Sequence, residues 1–203
     1  MKIEVTGAQQ VQDAINAVSD AMTDKPALHA RIAKGAVPVV RNHLLDRDAK
    51  AKRKPGWPRS GYWGHASESV DGTGDADAAT ITVRKEGVGL HLRGGTVKSK
   101  RPGGKLAIPL RAEFAGVNPR EAFPGREGAF VLSSGGRGPR GKAFLAVRDG
   151  KALRLCYLLL ESVTLKPDPT VLPPEDRLAK AARAACASYV RAAAKKAAAT
   201  TNH

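Results

Sequence analysis

The sequence predicts an α+β fold: an antiparallel sheet of about five or six strands packed with N-terminal helices, with long basic loops and an alanine-rich C-terminal helix. Three observations lead there. Apolar residues recur at helical spacing over residues 8–46. Over residues 79–164 they alternate with polar ones or form short runs bounded by glycine, proline and aspartate. Helical spacing returns after Pro173-Pro174. The expected organisation is an α+β core over residues 1–164, then a proline-rich spacer and C-terminal helix over residues 165–203.

In chain order, residues 1–6 (MKIEVT) read as a short edge strand. Val11, Ile15, Val18 and Met22 give the first helix one narrow apolar stripe. Asp24 and Pro26 form a restart signal, an N-cap with proline in the first turn. Leu28, Ile32, Val39, Val40, Leu44 and Leu45 carry a second helix, with a kink expected at Gly35 or Pro38. Residues 47–65 read as an aromatic and basic loop, since Pro55, Gly56 and Pro58 forbid regular structure. Arg53, Trp57, Arg59, Tyr62 and Trp63 stand out in it. Trp, Tyr and Arg anchor subunit interfaces, which ranks first; stacking on bases or contacting phosphates ranks second, and capping a core third. Asp71, Asp75 and Asp77 with Gly72 and Gly74 resemble a calcium loop but lack its ligand series and closing glutamate, so a polar turn is expected.

The centre of the sequence is Thr80 to Leu110. Ile81 and Val83 alternate with threonines, and Val88, Leu90 and Leu92 alternate with Gly89, His91 and Arg93, which predicts two strands joined by a hairpin at Glu86-Gly87. Gly94-Gly95 is expected to free the backbone of a cationic loop at 94–105 that carries Lys98, Lys100, Arg101 and Lys105, before a third strand at Leu106-Ala107-Ile108. Residues 111–128 read as a turn-rich connection with a helical turn at Ala112–Ala115. Ala129–Ser133 and Ala143–Val147 flank a second basic loop, 134–142, with Arg137, Arg140 and Lys142. Asp149-Gly150 signals a hairpin into Lys151–Val163, where Leu153, Leu155, Tyr157 and Leu159 share a strand face. A stiff segment, KPDPTVLPPEDR, leads to the last helix. Its thin stripe (Leu178, Ala182, Ala185, Tyr189, Val190, Ala193) suits packing on another helix, one from a neighbouring subunit included. The rest of that helix is basic, and residues 199–203 are expected to fray.

Net charge is +15, from 34 Lys and Arg against 19 Asp and Glu, which points to a polyanion: nucleic acid, an acidic membrane surface or an acidic protein. A merely solubilising surface is the competing reading. No apolar run approaches the roughly 18 residues of a membrane span. Residues 1–20 are too polar for a secretory signal, and Cys156 and Cys186 are single and distant, so the cytoplasm is the expected compartment.

Catalytic signatures are sought without assignment. Gly136 to Lys142 fits G-x-x-x-x-G-K, but Ala143 replaces the magnesium-binding Ser or Thr, a strand pattern follows where a helix is needed, and Pro139 removes a backbone donor. The histidines His29, His43, His65, His91 and His203 do not pair at ligand spacing. No nucleophile elbow appears, and Glu113 and Glu121 have no fixed relation. The expectation is no enzyme, no catalytic residue, no metal and no cofactor.

The order of parts carries a resemblance: RNHLLDRD, the aromatic loop GWPRSGYW, then Gly94–Lys98 (GGTVK), Leu106–Leu110 (LAIPL), Glu113–Gly116 (EFAG) and YLLLESVTLKPDPTVLPPED. Over roughly residues 40–180 the chain resembles the tailed-bacteriophage virion-morphogenesis proteins, the tail-completion or head–tail connector group. That resemblance implies a non-enzymatic structural protein of the phage neck or upper tail, assembled in the host cytoplasm and resident in the virion. It implies a self-assembled ring, often a hexamer, around the DNA channel. Neighbouring neck and tail ring proteins and packaged double-stranded DNA would be its partners, with no membrane. On this reading Lys98, Lys100, Arg101, Lys105, Arg137, Arg140 and Lys142 face the DNA channel or a partner ring, and Arg53, Trp57, Arg59, Tyr62 and Trp63 form a subunit-interface loop. The alternative is a free-standing basic nucleic-acid-binding protein of regulatory or ribosomal type, for which no helix-turn-helix, zinc or RNA-recognition signature is found.

Overall fold

The structure, a computed structural model, describes residues 8–52, 54–126, 128–133 and 143–200. The strand expected at 1–6, the loop 134–142 with Arg137, Arg140 and Lys142, and Arg53 lie outside the described residues. The class is α+β, with six α-helices and eight antiparallel strands among those residues. The strands form three sheets of two, two and four strands, where one sheet of five or six was expected. Contacts divide the chain into two compact units, one of residues 1–50, 62–88 and 170–203, the other of residues 51–61 and 89–169.

The first unit is mainly helical. It holds α1 (Ala8–Thr23), α2 (Lys25–Lys50), α3 (Tyr62–Glu68), the hairpin β1 (Val70–Gly74) and β2 (Ala79–Val83), and a C-terminal helix, Glu175–Thr200. Asp24 caps α2 as expected, its Oδ1 accepting the Ala27 N–H at 3.2 Å. α2 continues through Gly35 and Pro38. Gly35 is a contact point: a Cβ there would stand 2.5 Å from the Ala185 Cβ of the C-terminal helix. That helix therefore packs along α1 and α2 of its own chain, which satisfies its alanine stripe without a neighbouring subunit. Alanine against glycine lets two helix backbones approach closely.

The same close packing turns α1 over. Ala21 is buried and Ala14 and Ala17 are half-buried, while Val11, Ile15 and Met22 are 60%, 56% and 49% exposed. The expected core stripe thus faces largely outward. β1 lies where a polar turn was expected, and it pairs with β2 from Val70↔Val83 to Gly74↔Ala79. Its glycines are there for proximity: a Cβ on Gly72 would meet Val37 Cγ2 at 2.8 Å, and one on Gly74 would strike the backbone of His29 and Ala30 in α2. Asp71 pairs with Arg84 at 2.9 Å, and Asp75 Oδ1 accepts the Asp77 and Ala78 N–H groups at 2.8 Å, closing the hairpin turn.

After residues 51–61, the second unit resumes within α4 (Val88–Arg93), a helix where the second strand of a hairpin was expected. Val88 and Leu92 are four apart, so the residues that alternate also share a helix face, and β2 already has β1 as its partner. β3 (Gly95–Lys98) and β4 (Leu106–Pro109) follow, then a 3₁₀ turn at Ala112–Phe114 and the short α5 (Pro119–Ala122). β5 (Ala129–Ser133), β6 (Ala143–Asp149), β7 (Ala152–Leu160) and β8 (Ser162–Leu165) complete the sheets. Sheet order is β4-β7-β6-β5, with β3-β8 as a separate pair. The Asp149-Gly150 hairpin joins β6 to β7 as expected.

A bulge breaks the shared face expected for Leu153, Leu155, Tyr157 and Leu159. Leu145 pairs with Tyr157 and the next residue, Ala146, with Leu155, leaving Cys156 outside the ladder. Cys156 and Tyr157 are consequently both buried, which strict alternation forbids. Tyr157 is the centre of an aromatic cluster, with ring centroids 5.2 Å from Phe114 and 6.5 Å from Phe123. Its hydroxyl donates to the Val117 carbonyl at 3.0 Å. The C-terminal helix completes the numbering as α6 (Glu175–Thr200). Among the described residues no helix is long and apolar enough to cross a membrane.

Candidate functional site

The strongest chemical feature of the second unit is the β3–β4 connection. β3 runs antiparallel to β8 and ends at Lys98↔Ser162, and β4 runs antiparallel to β7 and starts at Leu106↔Leu160. The seven residues Ser99 to Lys105 therefore stand opposite a single residue, Glu161. Lys98 and Leu106 pair with residues only two apart in the chain, Ser162 and Leu160, which belong to two separate sheets, so the loop leaves β3 and enters β4 through a narrow neck. Seven residues on a closed neck make a small Ω-loop.

Local turns build it. Gly104 N–H donates to the Arg101 carbonyl at 3.0 Å, closing the turn Arg101-Pro102-Gly103-Gly104. Proline at the first central position and Gly103 at φ +67° at the second fit a type II turn. Ser99 Oγ accepts the Arg101 N–H at 3.2 Å. A Cβ on Gly104 would strike that Ser99 Oγ, so the loop is curled on itself. Gly94-Gly95, expected as a hinge, is instead the fixed entry to β3. Gly94 holds φ +72°, and a Cβ there would sit 2.8 Å from the Pro167 nitrogen. The loop expected as a flexible arm is curled by these turns.

Lys98, Lys100, Arg101 and Lys105 are all exposed there, and none of them makes an ion pair among the described residues. Lys98 is the last residue of β3, and the other three stand on the loop. Four cations within the eight residues 98–105 repel one another at low salt, and an anion bound among them relieves that repulsion.

The residues expected as one aromatic interface loop are divided between the units. Trp57 and Arg59 lie in a true loop of the second unit. Trp57 is half-buried beneath Lys54, whose Nζ is 5.3 Å from the ring centroid. It helps line an open groove of about 630 Å³ with Pro55, Pro58, Ala112 and Glu113. Glu113 is held by both carboxylate oxygens, 2.8 and 2.9 Å from Arg154 Nη2. Tyr62 and Trp63 are not in a loop: they open α3 in the first unit. The Arg47 guanidinium stacks 4.5 Å from the Trp63 ring and donates to the Thr170 carbonyl and hydroxyl. Tyr62 donates its hydroxyl to the Glu86 carbonyl at 2.8 Å, and burial pushes its pKa up. Both rings are half-buried and tied within their own unit.

Burial likewise pushes the Cys156 thiol and the Tyr157 phenol up, so neither is an activated group. Among the described residues no group of three His, Cys, Asp or Glu is placed to hold a metal ion. What sequence reading missed at the site is its built character. The Ser99-x-Arg101-Pro102-Gly103-Gly104 turn signal was available, whereas Glu161 as the break between β7 and β8 carries no local mark. Comparison of the chain with family models, with curated proteins and with solved structures finds no match.

Proposed function

We propose that the chain is a non-enzymatic structural subunit of the phage neck or upper tail, forming a ring in the head–tail connector or tail-completion region around the DNA channel. The observation that carries the reading is the cationic Ω-loop. Lys98 ends β3, and Lys100, Arg101 and Lys105 stand on a loop shaped by its own turns, Ser99 to Arg101 and Arg101 to Gly104. The segments on which the resemblance to that group rests, Gly94–Lys98 and Leu106–Leu110, contain the two strands flanking this loop. A preformed, sequence-indifferent cationic loop suits a conduit that must pass any genome, because phosphate contacts carry no base information. Trp57 and Arg59 supply the aromatic and cationic anchor types that subunit contacts favour.

Mass photometry with and without duplex DNA tests this. Rings that persist at high salt are the expected result. A monomer that grips short duplexes at low salt and never assembles would refute it and leave the second reading, a free-standing basic nucleic-acid-binding protein, which the net charge of +15 favours.

A further inference from the structure

The helical unit carries a cationic surface that this reading does not use. From Arg177 to the end of α6 the helix contains arginine and lysine but no aspartate or glutamate. At 100° per residue, Arg177, Lys180, Arg191 and Lys195 fall within an arc of about 60°, with Arg183 to one side. All five are exposed, and none makes an ion pair among the described residues. Ala184, Ala187 and Ser188 lie between them and are exposed too. From Arg177 to Lys195 the stripe is about 27 Å long. Beside it, Arg31 and Lys34 of α2 line a shallow hollow of about 250 Å³ together with Tyr189 and Ala192 of α6.

We propose that this face of α6, with Arg31 and Lys34, is a second polyanion-contact surface whose ligand is the backbone of duplex DNA. Its existence stands on the helix alone; the choice of ligand rests on the proposed function. The chemistry of the face selects among polyanions. A protein partner would look for large apolar or aromatic anchors. The exposed large hydrophobic residues lie on α1, α2 and the second unit, and none is on α6. A membrane surface takes up a helix by its apolar side, and that side of α6 is packed on α1 and α2. What remains on offer is a row of charges separated by small side chains, so the helix can lie close to a phosphate backbone without a steric stop. Duplex DNA supplies one negative charge per roughly 1.7 Å of axis, a higher charge density than the row itself carries.

The test uses the full chain, a 30-bp duplex of arbitrary sequence and fluorescence anisotropy over a salt series. Two variants are compared with wild type: Lys180→Gln, Arg183→Gln, Arg191→Gln and Lys195→Gln together, and Lys98→Gln, Lys100→Gln, Arg101→Gln and Lys105→Gln together. Glutamine keeps helix propensity near that of lysine and arginine. The α6 variant is expected to lose at least about tenfold in affinity near 0.1 M salt and to flatten the log–log salt slope by roughly 2–4. A slope within about 0.5 of wild type, with helicity retained, would overturn the proposal. Should the α6 variant not fold, acetylation footprinting of wild type decides instead. Protection of Lys180 and Lys195 by the duplex supports the surface, and their unchanged labelling overturns it. Tighter binding of wild type to phosphatidylserine vesicles or polyglutamate than to the duplex would overturn the choice of ligand. Mass photometry on the same samples keeps the two readings apart: absence of rings with the α6 effect intact sinks the ring and leaves this surface standing.

Discussion

The cations of the Ser99–Lys105 loop and those of α6 reach solvent by different routes. The loop is held by contacts among its own residues, Ser99 to Arg101 and Arg101 to Gly104, between β3 and β4. The α6 row is held by none of its neighbours in sequence beyond the helix itself. Its direction is set by how α6 lies on α1 and α2, through contacts as close as Gly35 against Ala185. A surface of the first kind survives damage elsewhere in the chain, and one of the second kind depends on the small residues beneath it.

That contrast can be broken most severely at Gly74. A side chain there strikes the α2 backbone, so Gly74→Val should cost about 3 kcal/mol or more. Hydrogen exchange should show β1, β2 and α2 losing protection while β6 and β7 keep theirs. The counterpart in the second unit is Tyr157, which is 1% exposed. Tyr157→Phe keeps the ring and leaves the Val117 carbonyl without its donor, for about 1–2 kcal/mol in chemical denaturation. At Gly103 a side chain meets open space and only the positive φ opposes it. Gly103→Ala should therefore cost about 1 kcal/mol and leave the protection of α2 and α6 untouched. The exposed Glu113–Arg154 pair gives the smallest effect, with Glu113→Gln costing no more than about 1 kcal/mol.

A pH titration sharpens the same comparison. The Ala78 and Asp77 N–H groups hold the Asp75 carboxyl below the usual range. Stability from a depressed carboxyl is fully present above its unfolded pKa and is lost as pH falls through the folded value. Wild type should therefore exceed Asp75→Ala in thermal stability at neutral pH and converge on it below the ordinary aspartate pKa of about 3.9. An unchanged difference at both ends would remove the Asp75 turn as a source of stability in the first unit.

Much of the fold could be read from the chain because its signals were local. Asp24 and Pro26 announce α2, Asp149-Gly150 announces the β6–β7 hairpin, and Pro173-Pro174 with two acids announces α6. The misses share a cause. Gly72 and Gly74 look like turn residues until α2 is seen lying against them. Val88, Leu90 and Leu92 satisfy a strand pattern and part of a helical one, and the presence of β1 decides between them. Val11, Ile15 and Met22 of the α1 stripe are exposed while Ala21 is buried, and nothing local in the sequence marks that the side of α1 packed with α6 carries alanine. At the candidate site the cations themselves were legible. The loop's closure was not, since it comes from β7 and β8 being separated by only Glu161. Tyr62 and Trp63 were misplaced because Gly61 ends the proline-rich stretch just before a helix that has no polar N-cap signal.

The narrow neck of the Ser99–Lys105 excursion has a bearing on how such a protein can diversify. Lengthening a flexible segment costs little in closure entropy, about 0.6 kcal/mol per doubling. Here extra residues would swell outward without shifting the pairing of Lys98 with Ser162 or of Leu106 with Leu160. Reach and charge can therefore be revised by insertion or deletion at this one position while the scaffold keeps its register, much as a tool bit is exchanged in a fixed chuck.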